Sequence, residues 1–359
     1  MTRLIEVLIS LAIVAALFLV ISLVLPSSRH LSDKIETNRK MTIVYDTLDS
    51  LRRFKDWNPV LLHDPRMQLK LSGPDSGVGA RLDYNSRSLA VGNGSWEISA
   101  IDPGKSVTYA ITNSQRGHDK RSKFSLKPTG RSGRNVEITQ SYDVTYGWDL
   151  MGRYAGLYVS RHVGDDMKLG LDRLSNMLAS VPNVDYRVQG SKLAGLKTVD
   201  RPTENLLVVS AGSVERNNDK IKASMKANME WIKRTMDASG LVATGPIRII
   251  STELGRENYT FDIAQPVRRA DAGAVAGESP LTGLKLQGPV HYVQTKAGRA
   301  ATASYTGYMA ELENVRNALR AWALTQGLEV TDRPYEDYKN GVDQAFTENG
   351  EYDVYWTLK

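Results

Sequence analysis

Two groups of side chains in this 359-residue chain could hold a small molecule. The first is the set Trp57, Tyr84, Trp96, Tyr109 and Trp148, rings of the kind that line an apolar cavity or fill a core. The second lies near the end, where Asp353 is accompanied by Tyr308, Trp322, Tyr338, Tyr355 and Trp356. A carboxylate among aromatic faces suits a flat or cationic ligand, held by stacking and cation–π attraction. Alternation along 352–356 sets Asp353 on one face with Tyr355, and Val354 and Trp356 on the other. Tyr355 is therefore the better groove partner.

Covalent and metal chemistry find little support. His63, His118 and His162 are dispersed, with no second histidine or acid at metal spacing, so no metal site is expected. His63 stands beside Asp64, but adjacent residues on an extended segment point apart. Gly104-Lys105-Ser106 lacks the earlier glycine of a phosphate loop, since Ser99 stands there, and a strand is expected after it instead of a helix. No GxSxG nucleophile elbow occurs. The absence of cysteine excludes thiol nucleophiles, disulfides and zinc–thiolate sites. A net charge of +6, from 46 basic and 40 acidic residues, is spread with mixed sign and forms no basic stripe. That distribution argues against nucleic-acid binding. No cofactor is expected.

The elements that would position these residues begin with an apolar run at 4–25, broken only by Glu6 and two serines. As a helix it would measure about 33 Å, enough to cross a bilayer core. Leu25-Pro26-Ser27-Ser28 is a poor cleavage site, so a retained single-pass anchor in an inner membrane is expected. The span resembles a signal anchor, which favours export of the domains beyond it. The charge balance, Arg3 before it and Arg29, Lys34, Arg39 and Lys40 after it, opposes export.

A helix is predicted over 41–57, then strands at 68–72, 80–84, 95–101, 106–112, 123–127 and 135–144. A closing helix carries Met167, Leu171, Leu174, Leu178 and Val181 on one stripe. Such a sheet wrapped around that helix leaves a cavity, for which the first aromatic set supplies candidate walls. The second half repeats itself. Gly212, a helical run, Gly240 and Asp262 are matched later by Gly307, a helical run, Gly327 and Asp353, in the same order. Paired strand–helix–hairpin units pack about a pseudo-twofold axis, with a groove along it. Asp262 is then the mate of Asp353. The fold expected is α+β: an anchor over 1–30, a first domain over 31–182, a connector over 183–202, and a duplicated domain over 203–359. An Ala/Gly-rich surface loop is expected over 268–289, between the copies.

Phe54-x-x-Trp57-Asn58-Pro59, Asp64-Pro65, Ser72-Gly73, Gly77-Val78-Gly79-Ala80 and Ile101-Asp102-Pro103, with the closing helix, resemble the START-related polyketide cyclase/dehydrase family of the SRPBCC superfamily. The resemblance covers the first domain and implies a helix-grip fold with a deep apolar cavity for lipids, polyketides or other hydrophobic molecules. Gly298-Arg299-Ala300, Tyr305 to Tyr308, Gly327-Leu328, Tyr335-Glu336-Asp337-Tyr338 and Tyr352 to Trp356 resemble the GyrI-like domain, which is also the effector-binding part of some bacterial transcription activators. This resemblance implies two tandem units and a central groove for small aromatic or cationic molecules. It also implies an acid, usually Glu, on the last strand. Asp353 aligns with that acid and is one methylene shorter.

Two cavity-bearing families and no convincing catalytic set point to a membrane-anchored protein that senses or sequesters hydrophobic or drug-like compounds without turnover. One alternative is a hydrolase or cyclase acting in either pocket, with Asp353 and a tyrosine as one candidate pair. The other is an interaction module with both pockets collapsed.

Overall fold

The computed structural model describes residues 2–188, 192–271 and 279–359. The chain is α+β and divides into two compact units, Met1–Asn183 and Val184–Lys359, each with its own antiparallel sheet.

The first unit begins with helix α1 (Thr2–Val24), the one helix among the described residues long and apolar enough to cross a membrane. Strand β1 (Ser28–Thr37) comes almost at once after it. It pairs with β7 (Asn135–Thr145) along its whole length, a seventh strand where the sequence pattern predicts six. Its residues alternate between exposed and half-buried, because an edge strand buries neither face fully. Only Leu31 and Ile35 give it an apolar signal.

The predicted helix over 41–57 is broken into α2 (Met41–Leu48), a single 3₁₀ turn, and α3 (Phe54–Trp57), with α4 (Val60–His63) after it. The break falls at Asp49-Ser50, where the Ser50 hydroxyl accepts the Arg52 N–H and starts a new turn. Then come β2 (Gln68–Ser72), β3 (Arg81–Asn85), β4 (Asn93–Asp102), β5 (Ser106–Asn113) and β6 (His118–Thr129). The sheet order is β1-β7-β6-β5-β4-β3-β2, a meander closed by the first strand. Short α5 (Leu150–Ala155) leads into the closing helix α6 (Val159–Ala179), which buries Met167, Leu171, Leu174 and Leu178 as the stripe predicts.

The second unit opens with β8 (Leu193–Arg201), inside the stretch read as a connector. Copy one contains β9 (Asn205–Glu215), α7 (Asn218–Ser239), β10 (Leu241–Ala243), β11 (Ile247–Leu254) and β12 (Asn258–Arg269). Copy two is preceded by β13 (His291–Gln294) and contains β14 (Gly298–Thr306), α8 (Leu312–Thr325), β15 (Val330–Tyr338), α9 (Val342–Ala345) and β16 (Glu351–Leu358). Of the Ala/Gly-rich loop, 272–278 lie outside the described residues.

The sheet order β13-β9-β12-β11-β15-β16-β14-β8 reads the same from either edge once the copies are exchanged. The axis runs between β11 and β15. Each copy donates its leading strand to the other: β8 pairs with β14, and β13 with β9. A flat sheet would set β8 and β9 about 29 Å apart, six strand spacings. The link 202–204 spans at most about 14 Å. The sheet is therefore strongly curled, and the two links meet, with Glu204 N–H donating to the Thr295 hydroxyl and Thr295 N–H to the Glu204 carbonyl, both at 2.8 Å.

Candidate functional site

Between α6 and the sheet of the first unit lies a cavity of about 520 Å³. It exists because α6, with the short helices α2 and α3 packed beside it, leaves part of the concave side of seven curved strands unfilled. Trp57, Tyr84, Trp96, Ile111, Tyr142 and Met167 supply apolar walls. Among the described residues, the Trp57 indole N–H and Gln140 Oε1 have no hydrogen-bond partner. The Gln140 amide nitrogen donates to the Ser122 hydroxyl at 3.0 Å, which fixes the orientation of the side chain. The indole N–H and Oε1 are themselves buried behind the cavity surface, and the rest of the lining is mixed, with Asn58, Asn113 and Gln115 beside the rings. Burial raises the Tyr84 and Tyr142 phenols above the ordinary value, so both stay neutral.

Of the five aromatics expected here, Trp57, Tyr84 and Trp96 line the cavity. Tyr109 does not: it is fully buried beneath the cavity, donates to the Leu48 carbonyl, and packs edge-on against Trp96 and Phe124. Trp148 does not either. Gly147, at φ +52°, turns the chain out after β7 and leaves the Trp148 ring 82% exposed.

The open side of the cavity is polar. His63, Gln115, Arg161, His162 and Asp165 stand there, and the His63 ring nitrogen lies 3.0 Å from the Asp166 carboxylate. Asp64, set aside as a partner of His63 because adjacent residues point apart, accepts instead from the Ser86 hydroxyl at 2.5 Å and from the Arg66 N–H. The Ser86 bond, then the Arg66 one, holds the Asp64 carboxyl below its ordinary range. The true partner of His63 is a hundred residues away, beyond the reach of spacing rules. Among the described residues no cluster of three metal-ligating side chains occurs.

The groove set of the second unit does not converge. Tyr352, Val354 and Trp356 face α7 and α8, and so does Tyr338, which is 1% exposed. Trp322 is half-buried against the same core. Asp353 and Tyr355 lie on the other face, as alternation requires, and so does Asp262. Tyr308 is exposed just beyond β14. Asp353 accepts from the Ser304 hydroxyl at 2.7 Å, with the Lys339 ammonium at 3.8 Å. Asp262 pairs with Arg333 at 2.6 Å.

Both faces of the axis carry charged groups that pattern reading missed. On the helix side, Arg316 of α8 holds Glu336 of β15 through two bonds of 2.5 and 2.9 Å, and also donates to the Tyr259 hydroxyl at 3.2 Å. Both side chains are buried. Burial alone would lower the Arg316 pKa, but the Glu336 carboxylate overrides it and the group is held above its ordinary value. On the concave side, Arg248 sits between Asp337 at 2.7 Å and Glu204 at 3.0 Å, over the Tyr335 ring. Arg201 covers the Tyr355 ring, which stacks on Tyr335. Burial pushes the Tyr335 phenol up to about 12.

No protein-family model and no curated protein matches the chain. Among solved structures, the EcmrR C-terminal domain is similar at TM-score 0.36 and 16% identity, over 46% of this chain and 97% of that one. EcmrR in its DNA complex is similar at TM-score 0.38 and 15% identity, over 65% of this chain and 88% of that one. Truncated norcoclaurine synthase from Thalictrum flavum is similar at TM-score 0.33 and 15% identity, over 43% of this chain and 94% of that one. Likeness at this level assigns neither a family nor a site residue.

Proposed function

We propose that the protein is a membrane-anchored binding protein for a hydrophobic small molecule, which the first unit carries in its cavity without turnover. The observation behind this reading is the cavity itself: about 520 Å³, walled by Trp57, Tyr84, Trp96, Ile111, Tyr142 and Met167. That volume suits a drug-sized or lipid-sized body. The resemblance to the START-related family supports the same ligand class. Helix α1 supplies the anchor.

Native mass spectrometry of the detergent-extracted protein tests the proposal. A bound apolar molecule should leave when Ile111→Trp fills the cavity. A cavity that stays empty, and a thermal midpoint unmoved by any amphiphile, would defeat it. In the second unit we propose that Asp353 contacts a cationic ligand on the concave face, with Asp262 as the symmetric position; Tyr355, whose ring lies between Arg201 and Tyr335, is not free to stack on it.

One observation favours a second reading, a hydrolase or cyclase. His63 and Asp166 form a base and its orienting acid beside the cavity opening. Turnover of ester or epoxide panels, lost in His63→Ala, would establish it.

A further inference from the structure

The antiparallel registers of the first sheet place Ser28, Thr145, His118, Asn113, Asn93 and Asn85 at one end. That end holds the foot of α1. The Arg153 guanidinium donates to the carbonyls of Ser22, Leu23 and Leu25, which a helix end leaves without partners. Tyr154 stacks on Phe18 at 4.7 Å and donates to its carbonyl, so α5 lies alongside the last turns of α1. From Phe18 to Val24 a helix rises about 9 Å. If α1 spans a bilayer, α5 is therefore at the depth of the headgroup–acyl boundary.

The same end exposes large apolar side chains. Trp148 is 82% exposed, Tyr158 61%, Met151 54% and Leu157 47%. Leu89 is fully exposed on the β3–β4 loop, which the registers bring to this end, and Arg116 of the β5–β6 turn pairs with Asp149 at the start of α5. Amphipathic rings and apolar side chains at that depth are what a bilayer interface accommodates. The cavity also opens here: Ala90, Val91, Asn113 and Gln115 line it from the loops at this end, and Arg161 and His162 from the first turn of α6. His162 is four residues beyond Tyr158, about 6 Å along the helix.

We infer that this end of the first unit is a collar that docks on the lipid leaflet, and that the cavity opens onto it, so that the ligand is an amphiphile entering from the bilayer instead of from water. This inference rests on the proposed reading of α1 as a membrane span. The collar residues enter the leaflet, Arg153 holds α1 upright against α5, and Arg161 meets the headgroup of the entering molecule.

The chain contains no cysteine, so single-cysteine variants can be labelled without background. The full chain is reconstituted in phosphatidylcholine vesicles with a minor share of phosphatidylglycerol, carrying a polarity-sensitive dye at Trp148→Cys, Leu157→Cys, Val91→Cys, Lys105→Cys or Ala12→Cys. Lys105 lies at the opposite end of the sheet, and Ala12 lies midway along α1. Nitroxide-labelled lipids should quench the dye at 148 and 157 several-fold more than at 105, and at 91 when the nitroxide is shallow. Quenching at 12 with none at 148 and 157 overturns the collar while leaving the anchor in place. No quenching at 12 overturns the membrane reading itself. A blue-shifted dye at 148 and 157 that lipid nitroxides do not reach means that protein, such as a second copy, covers the collar, and it overturns the inference. Quenching at 148 and 157 but not at 91 overturns entry from the leaflet.

Discussion

Glu336→Gln tests whether the axis of the second unit is closed. The substitution keeps the side-chain volume and removes one charge. Arg316 is 6% exposed and, among the described residues, has no other carboxylate bonded to it, so its guanidinium would remain buried and uncompensated. Breaking a buried pair from one side costs about 3–5 kcal/mol. For a unit of this size each kcal/mol moves the midpoint by about 2–4 °C, which gives a fall of about 6–20 °C in the transition of the second unit by calorimetry. The double variant Glu336→Leu/Arg316→Met removes both charges and should recover most of that loss, since an apolar pair of similar volume is often neutral or better. A cost below about 1 kcal/mol for Glu336→Gln would mean that water reaches Arg316. The axis would then be an open groove, as the duplication predicted, and a closed core about Arg316 would be wrong.

Three further outcomes are expected. In the first unit, Tyr84→Ala and Trp96→Ala each remove part of the cavity wall and should weaken binding of an apolar amphiphile by about tenfold or more in a thermal-shift titration. In the second unit, burial would raise the Glu204 pKa, but Arg248 and then Arg201 override it and hold the carboxyl below its ordinary 4.5. Its contribution to stability is therefore full above that value and is lost as pH falls through the lowered folded pKa; urea midpoints from about pH 6 to pH 3 should show this, and Glu204→Gln should flatten that part of the profile. Asp353→Asn should weaken a cationic ligand by about ten- to a hundredfold and a neutral isostere little, by isothermal titration, with Asp262→Asn as the control. Equal and negligible effects from both would leave Asp353 a surface carboxylate.

How much of the fold was legible in the sequence depends on what each pattern encodes. The α6 stripe was readable because Met167, Leu171, Leu174 and Leu178 recur at helical spacing against one continuous surface. The duplication was readable through glycines that geometry demands: Gly212 and Gly307 both take positive φ, and so do Gly240 and Gly327 beyond the two helices. Strands β1 and β8 escaped because an edge strand exposes half of its surface and carries a mixed pattern. Of the first aromatic set, Trp57, Tyr84 and Trp96 wall the cavity, but composition does not distinguish a wall from a core ring such as Tyr109 or a surface ring such as Trp148. Tyr335-Glu336-Asp337-Tyr338 hid its role most fully. All four residues are polar or amphipathic, and each face of the strand buries one acid against an arginine from a distant element.

The two units differ in how much of the sheet's face their helices cover. In the second, two symmetric helices cover one face, the swapped strands β8 and β13 curl the other inward, and three arginines with their acids occupy the space about the axis. Duplication closes such a unit, because every apolar face of one copy meets its counterpart. In the first, α6 lies across seven strands beside the short helices α2 and α3, with no symmetric mate, and a cavity remains. Its walls are Trp57 of α3 together with rings of the sheet such as Tyr84 and Trp96. The cavity therefore lies in the unit that continues directly from α1.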